Sequence, residues 1–326
     1  IGRFQPCHHG HISVMRKALE ELEGKLIVVI GSSGGPRTTR NPLTAKERVE
    51  IIKSFLNEKE LERIIFSYVP DFMYNDNQWI ASVQQAVFSA IHRSNFVAGP
   101  VEITLVGMKK DMSSYYLDLF PTWKSLSVAP ASINGNIVSS TDIRDRVLRG
   151  DHNDPRLVKF IPSAELEKLK SDYRYERDYE GTWGKGPHYT ADALVVQSGH
   201  ILLIRRGREY GQGQWALPGG FVNRNETSFE GAIRELYEET KIKVPEKVVR
   251  GSTVRSQVFD HPNRSLRSRI ITNAFYFQLA SGELPKVRGS DDAEIARWVP
   301  LAQAKTMRHS MFEDHHDIIS SLTGAF

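Results

Sequence analysis

Apolar positions change period along the chain and divide it in two. In the first half, Leu26–Ile30, Ile64–Val69 and Ile103–Val106 are short runs rich in Ile and Val, the pattern of strands buried on both faces of a parallel sheet. Between them the period becomes helical. Ile12, Met15, Leu19 and Leu22 share one face, Val49, Ile52 and Leu56 another, and Trp79, Val83, Val87 and Ile91 a third. Strand–helix–strand alternation predicts an α/β fold built on a doubly wound parallel sheet.

From Ala191 the pattern turns β-rich. Ala193/Val195 and Ile201/Leu203 flank Ser198-Gly199, which predicts a hairpin. One strongly patterned helix is expected at Ser228–Thr240, with Phe229, Ala232, Ile233 and Leu236 as its core face. Between the halves, Asp151 to Tyr189 is polar and ends in Gly181, Gly184, Gly186 and Pro187; it predicts a closing helix around Ser163–Lys170 and then a linker. The expected organisation is a first domain over 1–170, a linker over 171–189 and a second domain over 190–326. No repeat or low-complexity stretch interrupts it.

Composition narrows the class. The 326 residues, 40% hydrophobic and 25% charged, are those of a globular chain of about two domains. No apolar run approaches the ~20 residues of a membrane helix, and none reads as a secretory signal. The chain opens at Ile1, already inside a motif, so a few residues of a first strand are expected ahead of it. Cys7 is the only cysteine, which forbids an internal disulfide and suits a reducing cytoplasm. The net charge of +4, from 43 basic and 39 acidic residues, argues against nucleic acid as a partner. The basic residues are better explained locally, by small substrates that carry phosphate.

Two segments of the first half carry such chemistry. Gly2-Arg3-Phe4-Gln5-Pro6-Cys7-His8-His9-Gly10-His11 stands where a strand should end and a helix begin. A helix N-terminus presents N–H groups and partial positive charge to anions; His8 and His11 add donors, and Gly10 lets backbone approach closely. Late in the same half, Ser139, Ser140 and Thr141 place hydroxyls at a helix N-cap with Arg144 one turn in, a second anion cradle with a forked phosphate ligand. Either motif alone is compatible with an ordinary turn or cap; the pair is far more specific.

Together they resemble the HxGH nucleotidyltransferases, and within these the nicotinamide mononucleotide (NMN) adenylyltransferases. Supporting stretches are Asn41–Arg48, Tyr74–Trp79 and Gly107-Met108-Lys109-Lys110-Asp111 with Ser113–Tyr116, and Cys7 stands where Phe is usual. The resemblance, over about 1–165, implies a Rossmann-like domain that joins ATP and NMN. His8, His11 and Arg144 then serve the ATP phosphates and the developing charge, with Mg²⁺ accompanying ATP. Gly2, Arg3, Phe4, Gln5, Gly10, Arg48, Gly107, Lys110, Asp111, Ser139, Ser140 and Thr141 are substrate-binding candidates. The resemblance also implies that Trp79 stacks on the nicotinamide ring, whereas its spacing alone reads as core.

In the second half, Glu235, Glu238 and Glu239 crowd one helix face at i, i+3, i+4. Like charges so placed destabilise a bare helix; a hard divalent cation reverses that cost. The run Gly220 to Ile242, preceded by Trp215-Ala216-Leu217-Pro218-Gly219, resembles the Nudix box GX5EX7REUXEEXGU, with Lys241 in place of its last Gly. This implies an α/β/α Nudix domain with a mixed sheet, and Mg²⁺ or Mn²⁺ held by Gly219, Glu235, Glu238 and Glu239. Arg234 is expected to hold a glutamate in place. Val258–Arg269 is similar to the matching stretch of Nudix domains that are fused to NMN adenylyltransferases and act on ADP-ribose, and makes Arg264, Arg267 and Arg269 substrate candidates. Asp291-Asp292 and Glu313-Asp314-His315 are candidates for a further metal ligand or a general base. The order of the two motif sets resembles the bifunctional NMN adenylyltransferase/ADP-ribose pyrophosphatases, with ATP, NMN and ADP-ribose as partners and self-association left open. The competing expectation is a transferase for another precursor joined to a Nudix domain that senses ADP-ribose without cleaving it.

Overall fold

The computed structural model describes residues 1–94, 101–107, 118–128, 132–133, 136–137 and 139–326. The chain forms two compact units, Ile1–Tyr173 and Arg174–Phe326.

The first unit runs α1 (His9–Glu21), β1 (Leu26–Ile30), α2 (Ala45–Lys53), α3 (Glu58–Glu62), β2 (Ile64–Tyr68), α4 (Asp76–Arg93), β3 (Thr104–Gly107), β4 (Lys124–Ser127), β5 (Ser132–Ile133), β6 (Asn136–Ile137), α5 (Ser140–Arg149), α6 (Pro155–Val158) and the start of α7 (Ser163–Trp183). Parallel pairing appears where the apolar runs predict it: Leu26–Ile30 lies beside Ile64–Tyr68 in register, Gly2 bridges Ile30 in the same sense, and β3 pairs with β4. Ile12 and Met15 of α1, Val49 and Ile52 of α2, and Val28 and Ile30 of β1 share one core; Val83 and Val87 of α4 join Val29 and Leu105 in a second. The crossover helices thereby bury the strands between them. Helix α2 is fixed at its start by a reciprocal cap between Thr44 and Glu47.

The second unit adds β7 (His188–Gln197), β8 (His200–Arg206), β9 (Trp215–Ala216), β10 (Gly219–Phe221), α8 (Ser228–Thr240), α9 (Glu246–Gly251), β11 (Thr253–Phe259), β12 (Ile270–Gln278), β13 (Ala293–Pro300), α10 (Leu301–Thr306) and α11 (His315–Thr323). Its sheet has the order β11-β12-β7-β8-β13, with β10 on β7 and β9 on β8. The β12–β7 pair is parallel and the others antiparallel, so the sheet is mixed. The β7–β8 hairpin turns through Ser198 and Gly199, both at positive φ, as a two-residue turn that follows strand twist requires. Ala232, Ile233 and Leu236 bring α8 onto Ala193, Val195, Leu202 and Phe277, while α11 packs on β11 and β12.

Two local features depart from the sequence pattern. The helix expected to close at Lys170 continues to Trp183, through most of the expected linker. Leu166, Leu169 and Tyr173 face the first core and Tyr179 is buried in its turn; tyrosines among Asp, Glu, Lys and Arg carry the apolar face, so the stretch reads as polar in sequence. Helix α8 ends at Lys241 in the left-handed conformation, φ 46°, where a residue with a Cβ is strained. Among the described residues no helix is long and apolar enough to cross a membrane.

Candidate active sites

The first site grows out of the loop between the Gly2 bridge and α1. Gly2 donates to Val29 and accepts from Gly31, which extends the parallel edge to the motif. Phe4 sits at φ 51°, its ring so close to Gly2 that a Cβ there would lie 2.8 Å away. The Gln5 amide both donates to the Leu43 carbonyl (2.9 Å) and accepts from the Leu43 N–H (3.0 Å). Phe4 and Gln5 are buried: they shape and anchor the loop, while Arg3 is exposed.

His8 caps α1. Its Nδ1 accepts from the Gly10 N–H at 3.1 Å, and its own N–H donates to His11 Nδ1 at 3.3 Å. The two rings lie 3.9 Å apart, and a Cβ on Gly10 would sit 3.0 Å from the His8 ring. With both Nδ1 atoms accepting, the neutral imidazoles carry their protons on Nε2. Burial, reinforced by the neighbouring His8, pushes His11 down to about 3, so at neutral pH it is an uncharged donor.

Helix α5 brings the late motif to this loop. Ser139 caps the helix by accepting from the Thr141 N–H, Ser140 Oγ donates to the Pro6 carbonyl at 3.0 Å, and Arg144 Nη1 donates to the Gln5 carbonyl at 2.6 Å. Arg144 Nη2 reaches Thr141 Oγ1 at 3.2 Å. Burial lowers Arg144 to about 10, helped by the like charges of Arg3 and Arg40; it stays protonated at neutral pH, inside a field that favours anions. Arg40 was not among the sequence candidates. It lies in a loop without periodicity, and only the fold brings it near Arg3 and Arg144.

Arg48, another of the substrate-binding candidates, lies beneath this loop. It is buried, and its guanidinium donates to the carbonyls of Arg3 (2.7 Å), Gly31 (2.6 Å), Ser32 (3.1 Å) and Thr44 (3.3 Å). Those contacts clamp the strand ends beneath the site. Trp79 is half-buried in the first turn of α4, 6.1 Å from Phe120. Gly107 ends β3 and accepts from Val128. Lys110 and Asp111 lie outside the described residues.

The second site is built on α8 and the β10 loop. Arg234 grips Glu226 (2.7 Å), Glu235 (2.8 Å) and Glu238 (2.8 Å), and also donates to the Phe221 carbonyl. It therefore holds three carboxylates rather than one. Glu239 is buried and accepts from the Gly219 N–H at 2.9 Å. Gly220 faces Glu235 so closely that a Cβ would lie 2.4 Å from Oε1. Burial, with Glu235 and Asp292 nearby, raises Glu239 well above the usual carboxylate range; burial also raises Glu235. Crowded oxygen donors whose charge is resisted by their surroundings fit a hard divalent cation. As the side chains stand, no three His, Cys, Asp or Glu groups among the described residues close on one point, since Arg234 and Gly219 hold them.

The three arginines of the following loop separate. Arg264 is buried in a two-point ion pair with Asp314, 2.9 Å at each contact, so its guanidinium faces inward. Arg267 pairs with Glu313 at 3.0 Å and lies over the rings of Tyr179, Tyr210 and Phe312. Arg269 is partly exposed and meets Asp260. Of the acidic candidates, Asp314 and Glu313 are thus held by arginine, Asp292 by Arg208, and His315 Nδ1 accepts from the Leu217 N–H at 3.0 Å.

Fold and sites together define a nucleotide enzyme with two heads, a nucleotidyltransferase and a Nudix unit. Residues 1–146 match the cytidylyltransferase-like family and 186–322 the NUDIX domain family. Over 99% of its length the chain superposes on 97% of a crystal structure from Francisella tularensis, with a TM-score of 0.87 and 30% identity. That protein is a bifunctional NMN adenylyltransferase/ADP-ribose pyrophosphatase, solved also in complex with AMP and a manganese ion. A nicotinamide/nicotinic acid mononucleotide adenylyltransferase of Acinetobacter baylyi is 33% identical over 46% of this chain and 74% of its own. An ADP-ribose pyrophosphatase of Methanocaldococcus jannaschii is 32% identical over 41% of this chain and 71% of its own. The chain belongs to the family of bifunctional NMN adenylyltransferase/ADP-ribose pyrophosphatases.

Proposed function

We propose that the first unit converts ATP and NMN to NAD and pyrophosphate, and that the second hydrolyses ADP-ribose to AMP and ribose 5-phosphate. The observation that carries the first reading is the closure of two distant motifs on one loop, Ser140 and Arg144 on the Pro6 and Gln5 carbonyls beside His8 and His11. A 5′-phosphate oxygen of NMN attacks the α-phosphorus of ATP, and the bond to the β-phosphate breaks. Nε2–H of His11 and the charge of Arg144 oppose the negative charge that gathers on the phosphates. His8 fixes the imidazole pair, and the exposed Arg3 and nearby Arg40 extend the field. ATP would bring Mg²⁺ with it, whose charge would offset that of the phosphates.

In the second unit Glu235, Glu238, Glu239 and the Gly219 carbonyl would hold Mg²⁺ or Mn²⁺. When bound, the cation neutralises the diphosphate and lowers the pKa of attacking water. Arg234 sets the glutamate rotamers, and Arg267 and Arg269 stand as substrate contacts. With these box carboxylates all in place on α8, the hydrolytic reading is favoured over a non-cleaving sensor. The buried single thiol of Cys7 suits the cytoplasm as the proposed location.

The test is a product assay on the full chain, with ATP/NMN and ADP-ribose incubated separately, each with and without Mg²⁺. NAD should form in the first and AMP in the second, both only with metal. Transfer to another precursor with none to NMN, or tight ADP-ribose binding without cleavage under any divalent metal, would overturn the corresponding half.

A further inference from the structure

The end of α8 opens onto a cavity that neither proposed activity uses. Its volume is about 300 Å³, and Lys241, Lys243, Lys286, Val287 and Arg288 line it. Two stretches of backbone bring these residues together. The Lys243 N–H donates to the Lys286 carbonyl at 3.2 Å, and the Arg288 N–H donates to the Thr240 carbonyl at 2.8 Å. The second stretch is held further by Trp298, whose Nε1–H donates to the Pro285 carbonyl at 2.8 Å, and by the Ser290 N–H on the Glu239 carbonyl at 3.1 Å. Ile242 is buried in the core of the second unit and Val287 packs against that core. With these two turned inward, Lys241, Lys243, Lys286 and Arg288 are left exposed.

Four cations therefore line one small space. None of them forms an ion pair among the described residues, and Glu246, the next acid along the chain from Lys243, is held by Arg250 at 2.7 Å. Like charges gathered this way repel one another, and the negative end of the α8 dipole offsets only what lies within its last turn. Lys241 also stands at φ 46°, where glycine would be unstrained. Backbone strain and charge repulsion kept at one place are features of a ligand site. Lysines supply point charges and Arg288 a fork, the set that suits phosphate oxygens. Several cations around one cavity favour an anion with charges on adjacent groups over a single carboxylate.

We propose that this cavity binds a compact polyphosphate, of which inorganic pyrophosphate is the smallest, with none of its lining residues drawn from either active site. The bound anion would relieve the repulsion and draw together the two stretches that meet at the Glu239 and Thr240 carbonyls. Binding here needs neither catalytic activity.

The experiment uses the full chain as wild type, as the double variant Lys243→Ala/Lys286→Ala, and as Lys59→Ala/Lys185→Ala, which removes the same charge elsewhere. Equilibrium dialysis of labelled pyrophosphate in EDTA counts the anions bound per chain. Pyrophosphate is also a product of the proposed transfer, so the first unit is expected to add binding of its own, equal in all three proteins. The component that belongs to the cavity should weaken by about 10–100-fold in Lys243→Ala/Lys286→Ala, the scale for lost charged hydrogen bonds, and stay as in wild type in the control. Without anion, Lys243→Ala/Lys286→Ala should melt no lower than wild type, since two repelling charges are gone. Unlabelled ATP that displaces this component assigns the site to polyphosphates carried on a nucleoside as well as free ones; ATP that leaves it in place assigns it to free polyphosphate, and either result supports the site. Unchanged binding in Lys243→Ala/Lys286→Ala, an equal loss in the control, displacement by sulfate as effective as by pyrophosphate, or a lower melting point overturns the proposal. Absence of NAD or AMP formation in all three proteins would instead overturn the catalytic assignments and leave this test intact.

Discussion

Glu239 is a carboxylate whose burial resists its charge, and Glu235 beside it shares the difficulty. A group of this kind binds a proton in the folded chain where the unfolded chain has lost it. Its stabilising contribution is therefore complete below the ordinary glutamate pKa and is lost as pH rises through the raised folded value. A divalent cation at the α8 face replaces that proton, so its affinity should rise with pH, by up to about tenfold per pH unit while one group titrates. The expected result is that the gain in melting temperature on adding Mg²⁺ or Mn²⁺, relative to EDTA, is larger at pH 8 than at pH 5. A gain independent of pH would mean that these carboxylates are not the ligands. Arg48 makes the complementary point about single residues: burial pulls it down to about 10, and its charge is spread over backbone carbonyls.

Helix α8 carries the second site and also a local conflict. Its start is secured by the reciprocal Thr227–Glu230 cap and its face by Ala232, Ile233 and Leu236. Its end is a lysine at φ 46° and ψ 34° whose N–H still reaches the Tyr237 carbonyl. The left-handed region costs a residue with a Cβ about 1 kcal/mol, which glycine avoids at some cost in unfolded-chain entropy. Lys241→Gly should therefore stabilise the protein by about 0.5–1 kcal/mol in urea unfolding, with hydrolysis unaltered. A destabilised variant would show that the Lys241 side chain contributes more than its backbone strain costs.

The molecule keeps its two chemistries on separate elements. His11 and Arg144 lie on α1 and α5 of the first unit, and Glu235, Glu238 and Glu239 on α8 of the second. Substitutions at distant sites with no shared partner act independently. Glu238→Gln should abolish most ADP-ribose hydrolysis and leave adenylyl transfer within a few-fold of wild type. His11→Ala should lower transfer by ~10²-fold or more, the scale for a lost transition-state donor, and spare hydrolysis. Both rates are assayed in both variants after each is confirmed folded. An equal loss of transfer in folded Glu238→Gln would replace two sites by one composite site.

Much of this was legible in the chain because it depends on local spacing. Period decided β1 and α8, whose observed bounds are those of the apolar patterns, and the Ser198-Gly199 pair marked its hairpin because backbone conformation there is a property of two residues. The motifs named their chemistry for the same reason: three glutamates at helical spacing share a face wherever the helix goes. What the tertiary structure alone decided is which side chains have donors left to offer. Arg48, Arg206 and Arg264 are the same residue type. One is spent on carbonyls, one on a buried aspartate, and one stacks on a ring with its fork nearly unused. Those differences arise from partners far away in the chain, Gly31, Asp314 and Phe312, and contacts of that range exist only after the chain has folded.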